Sequence, residues 1–187
     1  NTYLESIVDI DMAITQLPEQ LDDGTFSQRI TIDFFPSEQS KAKILVGEIN
    51  DQQPAPKGSP ILHLDQLDVG IRCSRPLPIT AAPRLSKTTL DIARHVAQLI
   101  NNGDCIQIGI GAIPDATLAA LSDKNDLGFH SGMLADGIMS LMEAGNANGA
   151  AKNIDKGKAV VGATLGSSEL MAWAGQRNDL LFRPVNY

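Results

Sequence analysis

The stretch from Cys105 to Leu121, CIQIGIGAIPDATLAAL, constrains the fold more than any other part of the chain. An apolar run leads into Gly109-Ile110-Gly111 and then into a segment rich in Ala and Leu. This order predicts strand, tight turn and helix, because two residues without a Cβ allow a sharp turn and a close approach to a ligand. Pro114 suits the first turn of that helix. The free N–H groups at the helix start are suited to an anion or a polarised carbonyl oxygen.

Strands and helices are predicted to alternate along the rest of the chain. In the second half, helices are predicted at 86–101, 114–122, 134–144 and 167–174, and strands at 105–108, 127–131, 158–164 and 180–185. In the first half we predict strands at 7–14 and 43–49, a short strand or extended loop at 29–35, a short helix at 37–42 and one more strand within 61–69. The apolar run KILVGEI at 43–49 is typical of a strand buried on both faces of a parallel sheet. The chain is therefore predicted to be an α/β protein with mainly parallel sheets and flanking helices.

A proline-rich segment separates the two halves. Residues 72–84, RCSRPLPITAAPR, contain three prolines and are the best linker in the chain. We place a domain boundary there, with 1–78 as the end of a first domain and 79–187 as the start of a second domain that carries the glycine turn. Both ends of the chain run directly into apolar patterns, so we expect a piece of a longer protein.

Composition narrows the class of partner. The 187 residues carry a net charge of −7 and only 4% aromatic side chains, so neither nucleic acid nor an anionic membrane is expected to bind. No apolar run is long enough to span a membrane. Cys73 and Cys105 lie far apart and outside any paired motif, which favours a reducing compartment and predicts a cytoplasmic protein.

Two common nucleotide motifs are excluded at the glycine turn. A dinucleotide-binding fingerprint needs G-x-G-x-x-G and an acidic residue about twenty positions further on. Pro114 occupies the third glycine position here, and the next predicted strand ends in Phe129, His130 and Ser131. The Gly-Lys-Ser/Thr of a P-loop is absent too. A purely structural turn of an α/β protein stays open as an alternative.

The remaining polar residues suggest no second site. His130 and Ser131 are neighbours on a predicted strand, so their side chains point to opposite faces and do not form a simple base–nucleophile pair. A lone histidine at a strand end is more typical of a structural group. No cluster of His, Cys, Asp and Glu has metal-ligand spacing, so no metal site is predicted. Surface or helix-capping roles suffice for the acids of the second half, Asp115, Asp136, Glu143 and Glu169.

Two stretches together resemble a known family. CIQIGIGAIPDATLAAL followed by DLGFHSGMLADGIMSLMEAG is similar to the segment around the active site of the acetyl-CoA hydrolase/CoA-transferase family, in particular its 4-hydroxybutyrate CoA-transferase-like branch. The first half agrees in VDIDMAITQLPEQLDDGTFS, in KAKILVGEIN and in QQPAPKGSP. The resemblance covers nearly the whole chain, which matches the middle of the family's length, and implies parts of two CoA-transferase-type domains.

The resemblance implies a reaction as well as a fold. In this family a glutamate attacks a small acyl-CoA and becomes a glutamyl-CoA thioester, from which CoA passes to a carboxylic acid. The implied CoA-thioester loop is Gly109, Ile110, Gly111, Ala112 and Ile113. Coenzyme A is then a substrate, no cofactor is bound permanently, small carboxylic acids are the other substrates, and a homodimer is expected by analogy. Hydrolase and transferase activity both stay open.

The sequence departs from the family at one decisive position. The family pattern is His-Ser/Thr-Glu-Met, whereas this chain reads His130-Ser131-Gly132-Met133. Gly132 therefore stands at the position of the nucleophilic glutamate, and glycine cannot form an anhydride or a thioester. A deliberate change, a natural member that binds CoA esters without turning them over, and a sequence error all stay open. The first two predict no transferase activity, and the second makes the chain a catalytically silent CoA-ester-binding protein or subunit.

Overall fold

The computed structural model describes residue 3 and residues 6–187. The chain divides into two compact units. The first consists of Asn1–Pro78, Ala172–Asn178 and Phe182–Tyr187, and the second of Ile79–Met171 and Asp179–Leu181. The domain limits 1–78 and 79–187 stay a prediction. In the described part of the chain, no helix is both long enough and apolar enough to cross a membrane.

Strands dominate the first unit. Its elements are β1 (Ile10–Leu17), β2 (Thr25–Ser27), α1 (Phe35–Lys41), β3 (Ala42–Asn50), β4 (Ile61–His63) and β5 (Val69–Cys73). Parallel pairing gives the order β1-β3-β5, with Gln16 opposite Glu48, while β2 and β4 form an antiparallel pair. The apolar core lies on one face of the parallel sheet and comprises Ala13, Leu17, Phe26, Phe35, Leu45 and Leu62.

The other face of that sheet is partly exposed. Met12, Ile14 and Ile44 are 50%, 69% and 40% exposed. The prediction that 43–49 is buried on both faces is therefore wrong at Ile44. The reason is that α1 packs through Phe35 on the core face, and no described helix of the first unit covers the opposite face.

The second unit alternates helices and strands. Its elements are α2 (Lys87–Leu99), β6 (Cys105–Ile106), α3 (Ala112–Ala119), β7 (Gly128–Leu134), α4 (Asp136–Glu143), β8 (Ala159–Thr164), α5 (Ser168–Gln176) and β9 (Leu180–Phe182), of which α5 and β9 extend into the first unit. The sheet order is β6-β7-β8-β9, with β6 and β8 parallel to β7. The predicted α/β class with mainly parallel sheets and flanking helices is confirmed.

Several boundaries differ from the sequence prediction for physical reasons. Of the two alternatives predicted for 29–35, the short strand is not formed and the loop is, because Arg29 and Asp33 have φ of 70° and 45°, which an extended strand does not allow. Phe35 instead begins α1. The strand predicted at 127–131 continues to Leu134, and the following helix begins at Asp136. Ser86 does cap α2, since its hydroxyl oxygen accepts a hydrogen bond from Thr89 N.

One buried charge holds the polar loop between α4 and β8. Lys152 is 6% exposed, and its Nζ donates to Phe129 O at 3.0 Å and to Lys158 O at 2.8 Å. Its aliphatic stem lies so close to Gly128 that a Cβ there would approach Lys152 Cγ to 2.5 Å. Burial lowers the pKa of the Lys152 ammonium because it disfavours the charged form. The lysine thus fastens the loop to the start of β7.

Candidate functional site

The glycine turn follows β6 and ends at the start of α3. Gly111 is the residue before the helix and has φ of 115°, a conformation that side chains with a Cβ rarely adopt. Open space surrounds the turn, since a Cβ built on Gly109 or Gly111 would meet no heavy atom within 4 Å. Pro114 falls within the first turn of α3, as the sequence predicts. The backbone is therefore exposed where a ligand would approach.

The predicted CoA-thioester residues lie together on this turn. Ile110 and Ile113 are 58% and 44% exposed, so the turn presents two large apolar side chains to solvent. Ala112 and Ile113 are the first two residues of α3, so their N–H groups have no intrahelical partner. The positive end of the helix dipole adds to their attraction for negative charge. The turn can bind a carbonyl oxygen and place apolar surface beside it.

Ser131 ties the turn to the central strand of the second unit. Its hydroxyl donates to Ile108 O at 2.9 Å and accepts from Ile108 N at 3.2 Å, and the side chain is buried. Ile108 immediately precedes Gly109. No role for Ser131 was predicted from the sequence, although a single hydroxyl in a buried strand was a usable signal. This serine fixes the start of the glycine turn relative to β7.

Gly132 lies next to that serine and opens onto empty space. It is exposed, and a Cβ built on it would meet no heavy atom within 4 Å. A Cβ built on Gly137 would lie only 2.7 Å from Leu118 Cβ. Packing therefore requires glycine at 137, whereas neither packing nor a left-handed backbone requires it at 132. A Cβ at position 132 fits the strand as it stands.

A cavity of about 780 Å³ lies beside the turn, within the second unit. It is found where β7 and β8 end and α3, α4 and α5 begin, the usual location of ligand sites in parallel α/β sheets. The lining residues are Thr80, Ala81, Ala82, Pro83, Leu85, Ile110, Gly111, Asp115, Ala135, Asp136, Gly137, Leu165, Gly166, Ser167 and Glu169. No cavity was predicted from the sequence, because it depends on three helix starts that are distant along the chain.

Three of the acids assigned to surface or capping roles, Asp115, Asp136 and Glu169, line this cavity. Asp136 accepts hydrogen bonds from Ser167 N at 3.1 Å and from Ser167 Oγ, so it links the start of α4 to that of α5. Asp115 lies on α3 across the cavity. Burial raises the pKa of the Asp115 carboxyl, and the negative charge of Asp136 raises it further. The carboxyl of Asp115 therefore lies in surroundings that already disfavour negative charge.

The residues predicted for the site occupy one region of the second unit. The turn of residues 109–113 and Gly132 are joined through the Ser131–Ile108 hydrogen bonds, and the cavity borders the turn at Ile110 and Gly111. Among the described residues, no group of three or more His, Cys, Asp or Glu side chains is arranged to hold a metal ion. The geometry offers backbone donors, apolar surface and carboxylates.

Comparison with known proteins gives this geometry a context. No protein-family model matches the chain. It is 34% identical over 168 residues to 4-hydroxybutyrate coenzyme A transferase of Clostridium kluyveri, covering 90% of this chain and 39% of that protein. Succinyl-CoA:cyclohexane-1-carboxylate CoA transferase of Geobacter metallireducens is 30% identical over 178 residues, and the match covers 95% of this chain and 41% of that protein. The crystal structure of 4-hydroxybutyrate CoA-transferase from Porphyromonas gingivalis superposes with a TM-score of 0.93 at 31% sequence identity. The match covers 100% of this chain and 48% of that chain.

The chain is homologous to CoA-transferases. The relationship extends over almost its whole length and confirms the resemblance that the glycine turn and the HSGM stretch suggested. The chain spans about two fifths of the length of these two curated CoA-transferase relatives. It is thus comparable to a part of a CoA-transferase, and the activity of a whole protein remains a matter for proposal.

Substitution by alanine tests whether glycine is structurally required at 132. Gly132→Ala should leave the free energy of unfolding unchanged or raise it by up to about 1 kcal/mol, because alanine lowers the conformational entropy of the unfolded chain. In the folded chain the added Cβ displaces no neighbouring atom. Gly137→Ala is the matched comparison and should lower it by about 1–3 kcal/mol, because its Cβ would overlap Leu118. Urea unfolding of the whole protein measures both. Equal destabilisation by the two variants would contradict the open geometry at 132.

Removal of the Ser131 hydroxyl tests the link to the turn. Ser131→Ala leaves the buried N–H and C=O of Ile108 without their side-chain partner and should cost about 1–3 kcal/mol in unfolding free energy. Amide hydrogen exchange at Ile108 and Gly109 should accelerate, while Ser131→Thr keeps the hydroxyl and should retain the protection. Ser140→Ala removes an exposed hydroxyl bonded to Asp136 O and serves as the control. Unchanged exchange in Ser131→Ala would show that the turn is held by other contacts.

Proposed function

We propose that this chain is the acyl-CoA-binding part of a CoA-transferase-type protein, with the position of the catalytic glutamate occupied by Gly132. Homologues named as CoA-transferases align with most of the chain, and their names include 4-hydroxybutyrate and cyclohexane-1-carboxylate as substrates. The proposed ligands are a small acyl-CoA and a small carboxylic acid. A homodimer in the cytoplasm is part of the same proposal and rests on analogy.

The observation that carries this proposal is the adjacency of two open positions. The glycine turn and position 132 are held together by the hydroxyl of Ser131, and both face empty space. A thioester carbonyl above the turn would accept hydrogen bonds from the N–H groups of Ala112 and Ile113. Preorganised donors of this kind stabilise the negative charge that develops on a carbonyl oxygen under attack.

The reaction of the family explains why a side chain at 132 matters. A glutamate carboxylate there would attack the thioester carbon, form an acyl–glutamyl anhydride and release CoA as a thiolate. The thiolate would then attack the glutamyl carbonyl, which gives glutamyl-CoA and frees the carboxylic acid. With glycine at 132 neither bond can form. The residues present would bind and polarise the thioester but would not exchange its CoA.

The second candidate function is a catalytically silent CoA-ester-binding protein or subunit. It is favoured by the contrast between the binding turn, which keeps its glycines, and position 132, which lacks the carboxylate although the space for it remains. Hydrolysis is a third outcome, in which water takes the place of the accepting carboxylic acid. All three share the same acyl-CoA-binding turn and differ in what a carboxylate restored at position 132 would do with the bound thioester.

Restoration of the carboxylate tests the proposal. Gly132→Glu in the whole protein should create CoA exchange between acetyl-CoA and butyrate, and an enzyme thioester that borohydride reduces. Gly132→Gln introduces a side chain of nearly the same size and shape as glutamate but without a carboxylate nucleophile. This variant should therefore show neither CoA exchange nor the enzyme thioester. The unmodified protein should bind acetyl-CoA in calorimetry without turnover.

Each result has a distinct meaning. Binding by the unmodified protein without any gain in the Gly132→Glu variant would favour the silent binder. Release of free CoA by that variant without transfer to butyrate would favour the hydrolase. Absence of acetyl-CoA binding in the unmodified protein and of any thioester in the glutamate variant would contradict the proposed function as a whole.

A further inference from the structure

The cavity beside the glycine turn has a chemical character that selects among acyl groups. It shares Ile110 and Gly111 with the turn, so one arm of a thioester bound there would enter it. This step rests on the proposed function, because it takes the turn as the place where the thioester carbonyl lies. The two arms are the acyl group and coenzyme A, and they differ in size and charge.

The walls of the cavity are mainly apolar. Leu85, Ile110 and Leu165 contribute large side chains, and Ala81, Ala82, Pro83 and Ala135 contribute small ones. A volume of about 780 Å³ is within the range of small-molecule sites and is ample for a short hydrocarbon chain. Each methylene that such a chain buries contributes about 0.8 kcal/mol of hydrophobic stabilisation. The walls therefore favour an aliphatic group.

The charges at the cavity are all of one sign. Asp115, Asp136 and Glu169 line it, and the described lining residues include no Lys, Arg or His. Each acid lies in the first turn of a helix, α3, α4 and α5 respectively. A helix start carries roughly half a positive charge, so three carboxylates outweigh three helix starts. The cavity is negative on balance.

A further negative charge would find no cationic partner among these lining residues. Asp136 already takes both hydrogen bonds that Ser167 offers, through its backbone N–H and its hydroxyl. Burying a carboxylate without a partner is costly, and like charges nearby increase that cost. Burial, and after it the negative charge of Asp136, raise the pKa of the Asp115 carboxyl for the same two reasons.

The negative charges of the three acids decide which arm of the thioester enters the cavity. Coenzyme A carries several phosphate groups, whose negative charge the three acids repel, whereas a simple aliphatic acyl group is short and neutral. We infer that the cavity receives the acyl arm of the thioester and selects uncharged aliphatic acyl groups over those that carry a second carboxylate. Asp115, on the wall beside the turn, is the proposed specificity-determining residue.

Competing esters of equal chain length test this selection. Butyryl-CoA and succinyl-CoA both have four-carbon acyl groups and differ in the terminal carboxylate. In calorimetry with the whole unmodified protein, butyryl-CoA should bind at least about tenfold more tightly, the factor that corresponds to roughly 1.4 kcal/mol of binding free energy. Asp115→Asn should reduce that ratio severalfold by strengthening the binding of succinyl-CoA. Asp123→Asn, an identical change on an exposed residue that does not line the cavity, should leave the ratio unchanged.

A second variant keeps the test decisive if Asp115→Asn fails to fold. Glu169→Gln removes another negative charge of the cavity and should change the ratio in the same direction. Equal affinity of the unmodified protein for the two esters would overturn the inference and leave the proposed function intact. A preference for butyryl-CoA over succinyl-CoA that neither Asp115→Asn nor Glu169→Gln reduces would overturn the inference in the same way. Binding of neither ester would instead overturn the proposed function, and this inference with it.

Discussion

The hydroxyl of Ser131 is the contact on which the arrangement of the site depends. It spans from the central strand β7 to Ile108 and satisfies both backbone groups of the residue that precedes the glycine turn. Because that residue is held, the turn begins at a fixed point, and Gly111 can then direct the chain into α3 with its exposed N–H groups. The exposed N–H groups and position 132 are thereby held on one scaffold, as the proposed thioester chemistry requires.

The glycines of the second unit divide into two physical classes. At Gly137 the neighbouring side chain leaves no room for a Cβ, and at Gly111 the backbone conformation excludes one. At Gly132 neither restriction applies. Under the proposed function, glycine at 132 leaves the site without its nucleophile, and the geometry shows no structural need for glycine there. The cavity beside the turn keeps apolar walls and a negative charge that are independent of position 132.

Local patterns predicted much of this structure. The alternation of apolar runs with Ala- and Leu-rich segments indicated the α/β class, and the glycine turn and the Ser86 cap follow from short-range chemistry. Long-range features escaped prediction. The β2–β4 pair joins Phe26 to Leu62, the buried Lys152 reaches Phe129, and the cavity joins three helix starts. Such contacts depend on packing between segments that no local period reveals. The positive φ of Arg29 and Asp33 likewise has no local signal.

The central claim is that the glycine turn binds the thioester carbonyl beside position 132. A crystal structure of the whole unmodified protein with butyryl-CoA tests this most directly, because glycine at 132 should preserve the intact ester. We expect the carbonyl oxygen about 3 Å from the N–H nitrogen of Ala112 or Ile113, with the acyl chain in the cavity and the carbonyl carbon facing Gly132. An ester bound elsewhere, with the turn unoccupied, would contradict the account.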